Sequence, residues 1–210
     1  MYLIRPPKVY RWLFKKAIFR GNPDEKKVYL TFDDGPHPEA TPMVMEILES
    51  HGIKATFFVL GKNAEEYPEL IKQLKEKGHA IGNHGMNHLN GWTSSTSQYV
   101  ADAMEGKAVT QSSFFRPPYG KLTLSQYNAL SQTERIVFWD VISGDFDTTI
   151  SPKKVVSNVL DNVRNGSIIT MHDSKKAMNN LFGSMNEIIT SLKQEGYDFG
   201  VLQGSNEPQY

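Results

Sequence analysis

Short runs of three to six residues, rich in apolar side chains, recur along the chain at fairly even intervals. Between them lie segments whose apolar residues are three or four positions apart, as on one face of a helix. Seven strands alternating with helices predict an α/β fold built on a parallel sheet or barrel. The predicted strands are residues 28–32, 55–60, 80–83, 114–116, 136–141, 167–171 and 199–202.

Turn and capping residues predict where the helices begin. Thr41 is expected to cap one helix, and Ser151 is expected to begin another just before a proline. The long apolar stripe over residues 178–192 is typical of a helix packed on a core, so its methionines indicate no cofactor. Residues 90–112 show the weakest pattern, because Gly, Ser and Thr are frequent in their first part.

Composition narrows the class of protein. A chain of 210 residues is a normal length for one α/β barrel domain. Its 23 basic and 23 acidic residues balance, so nothing in the net charge indicates a nucleic-acid partner. The absence of cysteine excludes disulfides, thiol catalysis and zinc sites with Cys ligands.

The first twenty residues differ from the rest, because they contain six Lys or Arg and no acid, interleaved with aromatic and aliphatic residues. They lack the apolar run of a signal peptide, so a cytoplasmic or membrane-peripheral protein is expected, or an exported one if the sequence has been trimmed. We expect this segment to form a helix that packs across the bottom of the barrel. The alternative is peripheral membrane contact through residues 1–20.

Polar residues suited to catalysis follow the predicted strands. Asp33 and Asp34 stand where the first strand meets a Gly-Pro turn. Neighbouring strand residues point to opposite faces, so both carboxylates can serve one site only where the strand ends. One carboxylate then holds a cation while the other acts as a base; a solvated surface turn is the alternative.

His84 and His88 follow the third strand and are four residues apart. On one side of a helical turn, this spacing lets two imidazoles share a metal. Together with a carboxylate from another strand, they make three ligands and leave a position for water. The βα loops at the carboxyl ends of barrel strands are where such a site belongs.

Two later strands add an arginine and a histidine. Arg116 follows the fourth strand beside two prolines that stiffen its loop, and an arginine next to a carboxylate keeps it ionised and oriented. His172 ends the sixth strand and is a candidate general acid. A structural salt bridge and an ordinary packed histidine are the alternatives for these two residues.

Five segments together resemble the motifs of the polysaccharide deacetylases, the NodB-like family 4 carbohydrate esterases. They are TFDDGP at 31–36, HGMNH at 84–88, RPPY at 116–119, GDF at 144–146 and IITMHD at 168–173. The resemblance extends over residues 26–202. It implies a single-domain, distorted (β/α)7 barrel of the TIM-barrel type, with one divalent metal.

The resemblance also implies roles for the residues that match these motifs. Asp34, His84 and His88 are the implied metal ligands, and Asp33 is the implied catalytic base, positioned by Arg116. Zinc is the expected metal, with cobalt, nickel, iron and manganese as alternatives.

The implied acid and oxyanion groups come from the other motifs. His172 is expected to protonate the leaving amine, with Asp145 orienting and charging it. The backbone N–H of Tyr119 is expected to help the metal hold the oxyanion, and Pro118 is expected to contact the substrate.

Three positions depart from the family pattern. Gly85 stands where the family usually has Ser or Thr, which removes a hydroxyl from the metal loop. Phe146 replaces a Trp, and Thr170 replaces a Leu that commonly lines the acetyl pocket. We therefore expect Phe146 and Thr170 to reshape the wall that meets the acyl methyl group.

The predicted function is metal-dependent hydrolysis of the acetamido group of N-acetylated sugars in a peptidoglycan- or chitin-like glycan. The alternatives are a deformylase or deacetylase of a lipid-linked sugar, an O-acetyl esterase, and an inactive glycan-binding homologue. His37, Trp92 and Trp139 are candidates for stacking on a sugar ring. The expected organisation is an N-terminal segment (1–25) packed on the barrel, a catalytic domain (26–203) and a frayed tail (204–210).

Overall fold

The structure is a computed structural model that describes residues 3–202. The strands are β1 (Lys27–Asp33), β2 (Thr56–Val59), β3 (Ala80–Asn83), β4 (Phe114–Phe115), β5 (Arg135–Ile136), β6 (Val141–Ile142), β7 (Ile168–His172) and β8 (Asp198–Gly200). The helices are α1 (Lys8–Leu13), α2 (Ala40–Ser50), α3 (Gly61–Glu66), α4 (Pro68–Glu76), α5 (Thr96–Thr110), α6 (Leu124–Leu130), α7 (Pro152–Leu160) and α8 (Met178–Gln194).

The strands form a parallel sheet in the order β5-β4-β3-β2-β1-β7-β6, with β8 paired to the beginning of β1. This path curves into a half-barrel surrounded by helices, which confirms the predicted α/β, distorted barrel fold. β1 lies at its centre, and its register places Asp33 opposite His172 of β7 and Phe58 of β2. The carboxyl ends of these strands therefore meet at one edge.

Alternation along β1 decides which side chains enter the barrel. Val28, Leu30 and Phe32 belong to the large core between the sheet and its helices. Tyr29 and Asp33 occupy the alternate positions and point to the other side of the sheet, the barrel interior. The strand therefore buries one apolar face and carries the Asp33 carboxylate on the other.

The expected fifth strand, 136–141, is not one strand. The structure divides it into β5 and β6, which lie at opposite ends of the sheet path. Between them the chain leaves the β4 side and crosses to β7, because Val137 N–H still donates to Phe115 but Asp140 N–H donates to Ile168. Only Asp140 interrupts this apolar run in the sequence, so the pattern did not predict the crossing.

The N-terminal segment fills the gap that this crossing leaves between β5 and β6. Ile18 forms a parallel bridge with Val137, and its carbonyl accepts from Phe138 N–H. Nearer the other end of the segment, the carbonyl of Ile4 accepts from Ile142 N–H. The prediction that this segment crosses the barrel bottom is therefore wrong, because the open seam along the barrel side offers it free backbone partners.

Two further expectations have definite outcomes. Ser151 caps α7 as predicted, its hydroxyl accepting from Lys154 N–H. Thr41 is not a cap: it lies inside α2, and its hydroxyl donates to the carboxylate of Asp173.

No helix within residues 3–202 is long and apolar enough to cross a membrane. The domain limits stay a prediction, and the expected tail (204–210) lies outside the described residues.

Candidate active site

The two neighbouring carboxylates at the end of β1 diverge because the backbone turns between them. Asp33 is the last residue of β1 and is buried. Asp34 follows with φ of 77°, in the left-handed region that non-glycine residues seldom adopt. Asn63 holds this turn by donating its side-chain amide to the Asp34 carbonyl over 2.8 Å. The turn lets both carboxylates face the carboxyl-terminal edge of the barrel.

Asp34, His84 and His88 form a three-residue cluster with the composition of a metal site. Their potential ligand atoms all lie within 4.8 Å of one another. The Oδ1 of Asp34 is 3.1 Å from Nε2 of His88 and 3.6 Å from Nε2 of His84. Tetrahedral zinc with ligand bonds of roughly 2.0–2.1 Å would separate its ligand atoms by about 3.3 Å, so the donor set fits such an ion.

The electrostatics of this cluster also suit a cation. Burial lowers the pKa of His84 to about 4, so its ring is neutral at pH 7. Its Nδ1–H donates to the Arg116 carbonyl over 2.8 Å, which leaves the Nε2 lone pair for a ligand bond. Burial acts to raise the pKa of Asp34, but the His88 hydrogen bond and the neighbouring histidines lower it overall. The carboxylate is therefore ionised.

The loop that carries the two histidines is not the expected helical turn. Gly85 has φ of 81° and His88 has φ of 61°, so the backbone twice enters the left-handed region. A Cβ on Gly85 would lie 2.7 Å from Oδ2 of Asp102, so a Ser or Thr at this position would require the Asp102 carboxylate to shift. Asp102 accepts from the backbone N–H groups of Met86 and Asn87 and thereby holds the loop in place.

Arg116 lies directly beside Asp33 and is completely buried. Its Nη1 donates to Oδ1 of Asp33 and to Oγ1 of Thr31, each over 2.7 Å, and Nη2 donates to the Phe138 carbonyl. The guanidinium carbon lies 4.0 Å from the ring centre of Phe58. These contacts fix the Asp33 carboxylate in one orientation, outside the cluster of potential metal ligands.

His172 and Asp145 form a second buried pair. Nδ1 of His172 donates to Oδ1 of Asp145 over 2.8 Å, and the His172 backbone N–H donates to Oδ2 over 2.7 Å. Burial opposes a charge on the imidazole, but the carboxylate more than offsets it and raises the pKa of His172 to about 9. The ring is therefore protonated at neutral pH and can donate a proton from Nε2.

Asp33, His172 and the three potential metal ligands border one cleft of about 680 Å³, whereas Arg116 and Asp145 are buried and do not line it. Its walls include Tyr119, Phe146, Trp92 and Trp139, as expected of groups that meet the substrate. Tyr119 has φ of 59°, and its ring lies 4.4 Å from that of His88. Phe146 packs edge-on to His172 with ring centres 4.9 Å apart.

Three expected substrate contacts are not on the cleft surface. Pro118 is buried behind its loop, and Pro117 lines the cleft instead. Thr170 is 1% exposed, and its hydroxyl lies 3.3 Å from that of Thr31, below the cleft floor. Strand alternation places Thr170 on the same side as His172 but one layer deeper. His37 also lies outside the cleft lining.

Sequence reasoning missed three residues that support the site. Thr31 accepts from Arg116, and Asp102 holds the histidine loop. Asp173 is fully buried, packs against Gly35 and accepts from Thr41. Burial raises the pKa of Asp173 to about 8. Thr31 and Asp173 stand inside recognised motifs, whereas nothing in the local sequence distinguished Asp102.

The fold and the site together define a class of protein. A parallel half-barrel with a carboxylate–histidine cluster, a buried carboxylate paired with arginine and a charged histidine at its carboxyl-terminal edge is the architecture of a metal-dependent hydrolase. The family model for polysaccharide deacetylase matches residues 20–135. The chain belongs to the polysaccharide deacetylase family, whose reaction is hydrolysis of the acetamido groups of glycans.

Individual relatives agree with this assignment. A peptidoglycan-N-acetylglucosamine deacetylase of Bacillus cereus is 34% identical over 202 residues, covering 92% of this chain and 73% of the relative. A chitooligosaccharide deacetylase of Azorhizobium caulinodans is 37% identical over 160 residues, covering 71% and 75%. The crystal structure of the Bc1960 peptidoglycan N-acetylglucosamine deacetylase superposes with a TM-score of 0.87 at 32% identity, covering 97% of this chain and 100% of that one.

Proposed function

We propose that this protein removes acetyl groups from the N-acetylated sugars of a peptidoglycan-type glycan and releases acetate. One observation carries the proposal: a potential metal cluster, an arginine-bound carboxylate and a charged histidine border the same cleft. Amide hydrolysis requires an activated water, a polarised carbonyl and a proton for a poor leaving group. The cleft holds groups suited to each of these requirements.

Zinc is the proposed metal, held by Asp34, His84 and His88. When bound, it would polarise the acetyl carbonyl and lower the pKa of water at the site. The two histidines and one carboxylate match the ligands of catalytic zinc sites, which leave one position open. Cobalt, nickel, iron and manganese are alternatives that the same ligands accept.

The protein groups act on protons and on orientation. Asp33 takes a proton from the attacking water, and Arg116 holds its carboxylate towards the cleft. The backbone N–H of Tyr119 donates to the acyl oxygen as negative charge develops there; such a donor contributes roughly 3 kcal/mol. His172 then protonates the amide nitrogen so that the C–N bond breaks and an amine leaves, with Asp145 keeping the imidazole charged. Phe146 meets the acyl group.

The lining of the cleft favours a sugar polymer that carries negative charge. Trp92, Tyr119 and Trp139 offer rings for sugar faces. Nζ of Lys121 lies 5.1 Å from the Trp92 ring centre and 5.7 Å from that of Tyr119, and Lys176 lies elsewhere on the cleft lining. The peptide groups of peptidoglycan carry carboxylates, whereas chitin carries none. The relatives named as peptidoglycan deacetylases support the same choice.

Acetate release tests the proposal. Zinc-loaded protein is expected to release acetate from peptidoglycan fragments and more slowly from chitooligosaccharides, and metal removal by a chelator is expected to abolish both activities. Asp33→Asn should lose activity, while Asp24→Asn, at an exposed aspartate, should keep it. The proposal would be refuted if metal-loaded protein released no acetate from any N-acetylated glycan.

Lys121→Met should reduce the preference for peptidoglycan and leave the rate on chitooligosaccharides unchanged.

The alternatives predict different outcomes in the same assay. An O-acetyl esterase would release acetate from O-acetylated glycans and leave acetamido groups intact. A deformylase or deacetylase of a lipid-linked sugar would act only on substrates that carry the lipid. An inactive glycan-binding protein would release nothing, but its site would not require Asp33 and His172, each held by a buried partner of opposite charge.

A further inference from the structure

The N-terminal segment presents an exposed face of mixed basic and apolar side chains. Trp12 is 67% exposed and Val9 is 51% exposed, the first being the most exposed large apolar side chain of the described residues. Three lysines are exposed around them. We call this set the outer face: Lys8, Val9, Trp12, Lys15 and Lys16.

The opposite side of the same segment is firmly packed on the barrel. Tyr10 and Phe14 contact the ring of Phe138, with ring centres 5.8 and 5.4 Å away. Arg5 and Arg11 both pair with the buried carboxylate of Asp140. The outer face is therefore held in a fixed position, and its apolar side chains are exposed although neighbouring ones are buried.

The charge within the segment that carries the outer face is almost entirely of one sign. No acidic residue occurs before Asp24 in the sequence. The buried carboxylate nearest to the segment, Asp140, is shared among Arg5, Arg11 and Arg164 and so has no capacity to neutralise the exposed lysines. The segment therefore carries an excess of positive charge next to an exposed tryptophan.

We propose that the outer face docks on a bilayer with anionic headgroups. Tryptophan side chains prefer the headgroup region of a bilayer. Each basic residue near anionic lipids contributes roughly 1 kcal/mol to the binding free energy, which corresponds to about a fivefold change in the binding constant. A second copy of this chain is a poor occupant, because a symmetric contact would bring the same positive charges together. A protein without negative charge would leave the lysines unmatched.

Docking in this way brings the cleft close to the membrane. Leu3, Pro6, Pro7 and Tyr10 line the cleft and belong to the segment that carries the outer face. A glycan processed there would lie near the lipid surface. The binding itself does not depend on the proposed deacetylase activity, so each proposal can fail without the other.

Vesicle sedimentation tests the docking. The full chain is expected to bind vesicles of phosphatidylcholine with a quarter phosphatidylglycerol, to bind phosphatidylcholine vesicles weakly, and to dissociate as salt is raised. The double variant Lys15→Glu/Lys16→Glu should weaken binding at least about 25-fold at low salt. Its matched control is Lys72→Glu/Lys75→Glu, the same charge change at exposed positions of α4. The control should bind anionic vesicles much more tightly than the Lys15→Glu/Lys16→Glu variant does.

The apolar part has its own pair of variants. Trp12→Ala should weaken vesicle binding and should abolish the blue shift of tryptophan emission that accompanies binding. Met43→Ala, at another exposed apolar position, should change neither the binding nor the blue shift. All these positions are exposed, so unchanged thermal unfolding is expected. Equal binding to both vesicle types, no binding to anionic vesicles, or equal losses in the two lysine pairs would overturn the proposal. A dimer in light scattering that Trp12→Ala dissociates, without vesicle binding, would instead assign the face to self-association.

Discussion

Replacing Asp145 by asparagine is expected to move the alkaline limit of activity to lower pH. The Asp145 carboxylate is fully buried and accepts from both Nδ1 and the backbone N–H of His172. It is the largest influence that keeps this imidazole charged, against the effect of burial. Asparagine retains the size of the side chain but removes the negative charge.

The size of the effect follows from the pKa of His172. The proposed mechanism requires its protonated form, which persists up to a pKa of about 9 when Asp145 is present. Without the carboxylate, burial still opposes the charge and only the weaker influences of Asp34 and Asp33 favour it, so the pKa should fall towards 6.5, the ordinary histidine value. At a pKa of 6.5 the protonated fraction at pH 8 would be about one-thirtieth instead of about nine-tenths, so kcat/KM should fall by up to about 30-fold. Much of this loss should disappear near pH 5.5.

The assay is the pH profile of kcat/KM for acetate release from an N-acetylated oligosaccharide, between pH 5 and 10, with metal-loaded protein. Asp147→Asn is the control, because this partly exposed aspartate lies on the same loop and its carboxylate accepts from Thr149 rather than from His172. Circular dichroism and metal content establish that the variant is folded and loaded. An alkaline limit that stays near pH 9 in a folded, loaded Asp145→Asn protein would refute the role given to this pair.

Three other substitutions test the remaining parts of the site. Asp33→Asn is expected to reduce kcat by about 10²–10⁴-fold with full metal content, and loss of the metal instead would make Asp33 a ligand. Arg116→Met leaves the Asp33 carboxylate buried without its cation, so the free energy of unfolding in urea should fall by roughly 3–5 kcal/mol. A loss below 1 kcal/mol would mean that the carboxylate finds another partner. Gly35→Ala places a methyl group inside the Asp173 carboxylate, so Tm should fall by several degrees; an unchanged Tm would show that Asp173 can move aside.

Much of the fold was predictable from local patterns. Alternation and helical spacing gave the parallel α/β class, and capping chemistry gave the beginning of α7 at Ser151. Two features were not predictable. The run 136–141 crosses between sheet edges, and the N-terminal segment closes the seam that results. Both depend on backbone partners far away in the chain, which no local periodicity reports.

The candidate site divides in the same way. The strand ends and the spacing of the two histidines predicted a metal site shared with a carboxylate, and the family resemblance implied Asp34, His84 and His88 as its ligands. They did not show that the histidine loop is left-handed at two residues, that Asp102 supports it, or that Thr170 lies below the cleft floor. Those facts concern the depth and direction of side chains within a curved sheet.

The sequence by itself determined which chemical groups this protein has and at which strand ends they stand. Side chains on one face of a strand recur every second residue, and those on one face of a helix recur every three or four residues, so these patterns can be recognised in short stretches of sequence. The family resemblance implied which groups pair, but only the tertiary structure decided how they meet. Arg116 pairs with Asp33, which lies 83 positions away in the sequence, and Asp145, in the loop after β6, pairs with His172 at the end of β7. Their distances, burial and charge exist only once the sheet has curved, because buried electrostatics depend on spatial neighbours rather than on order along the chain.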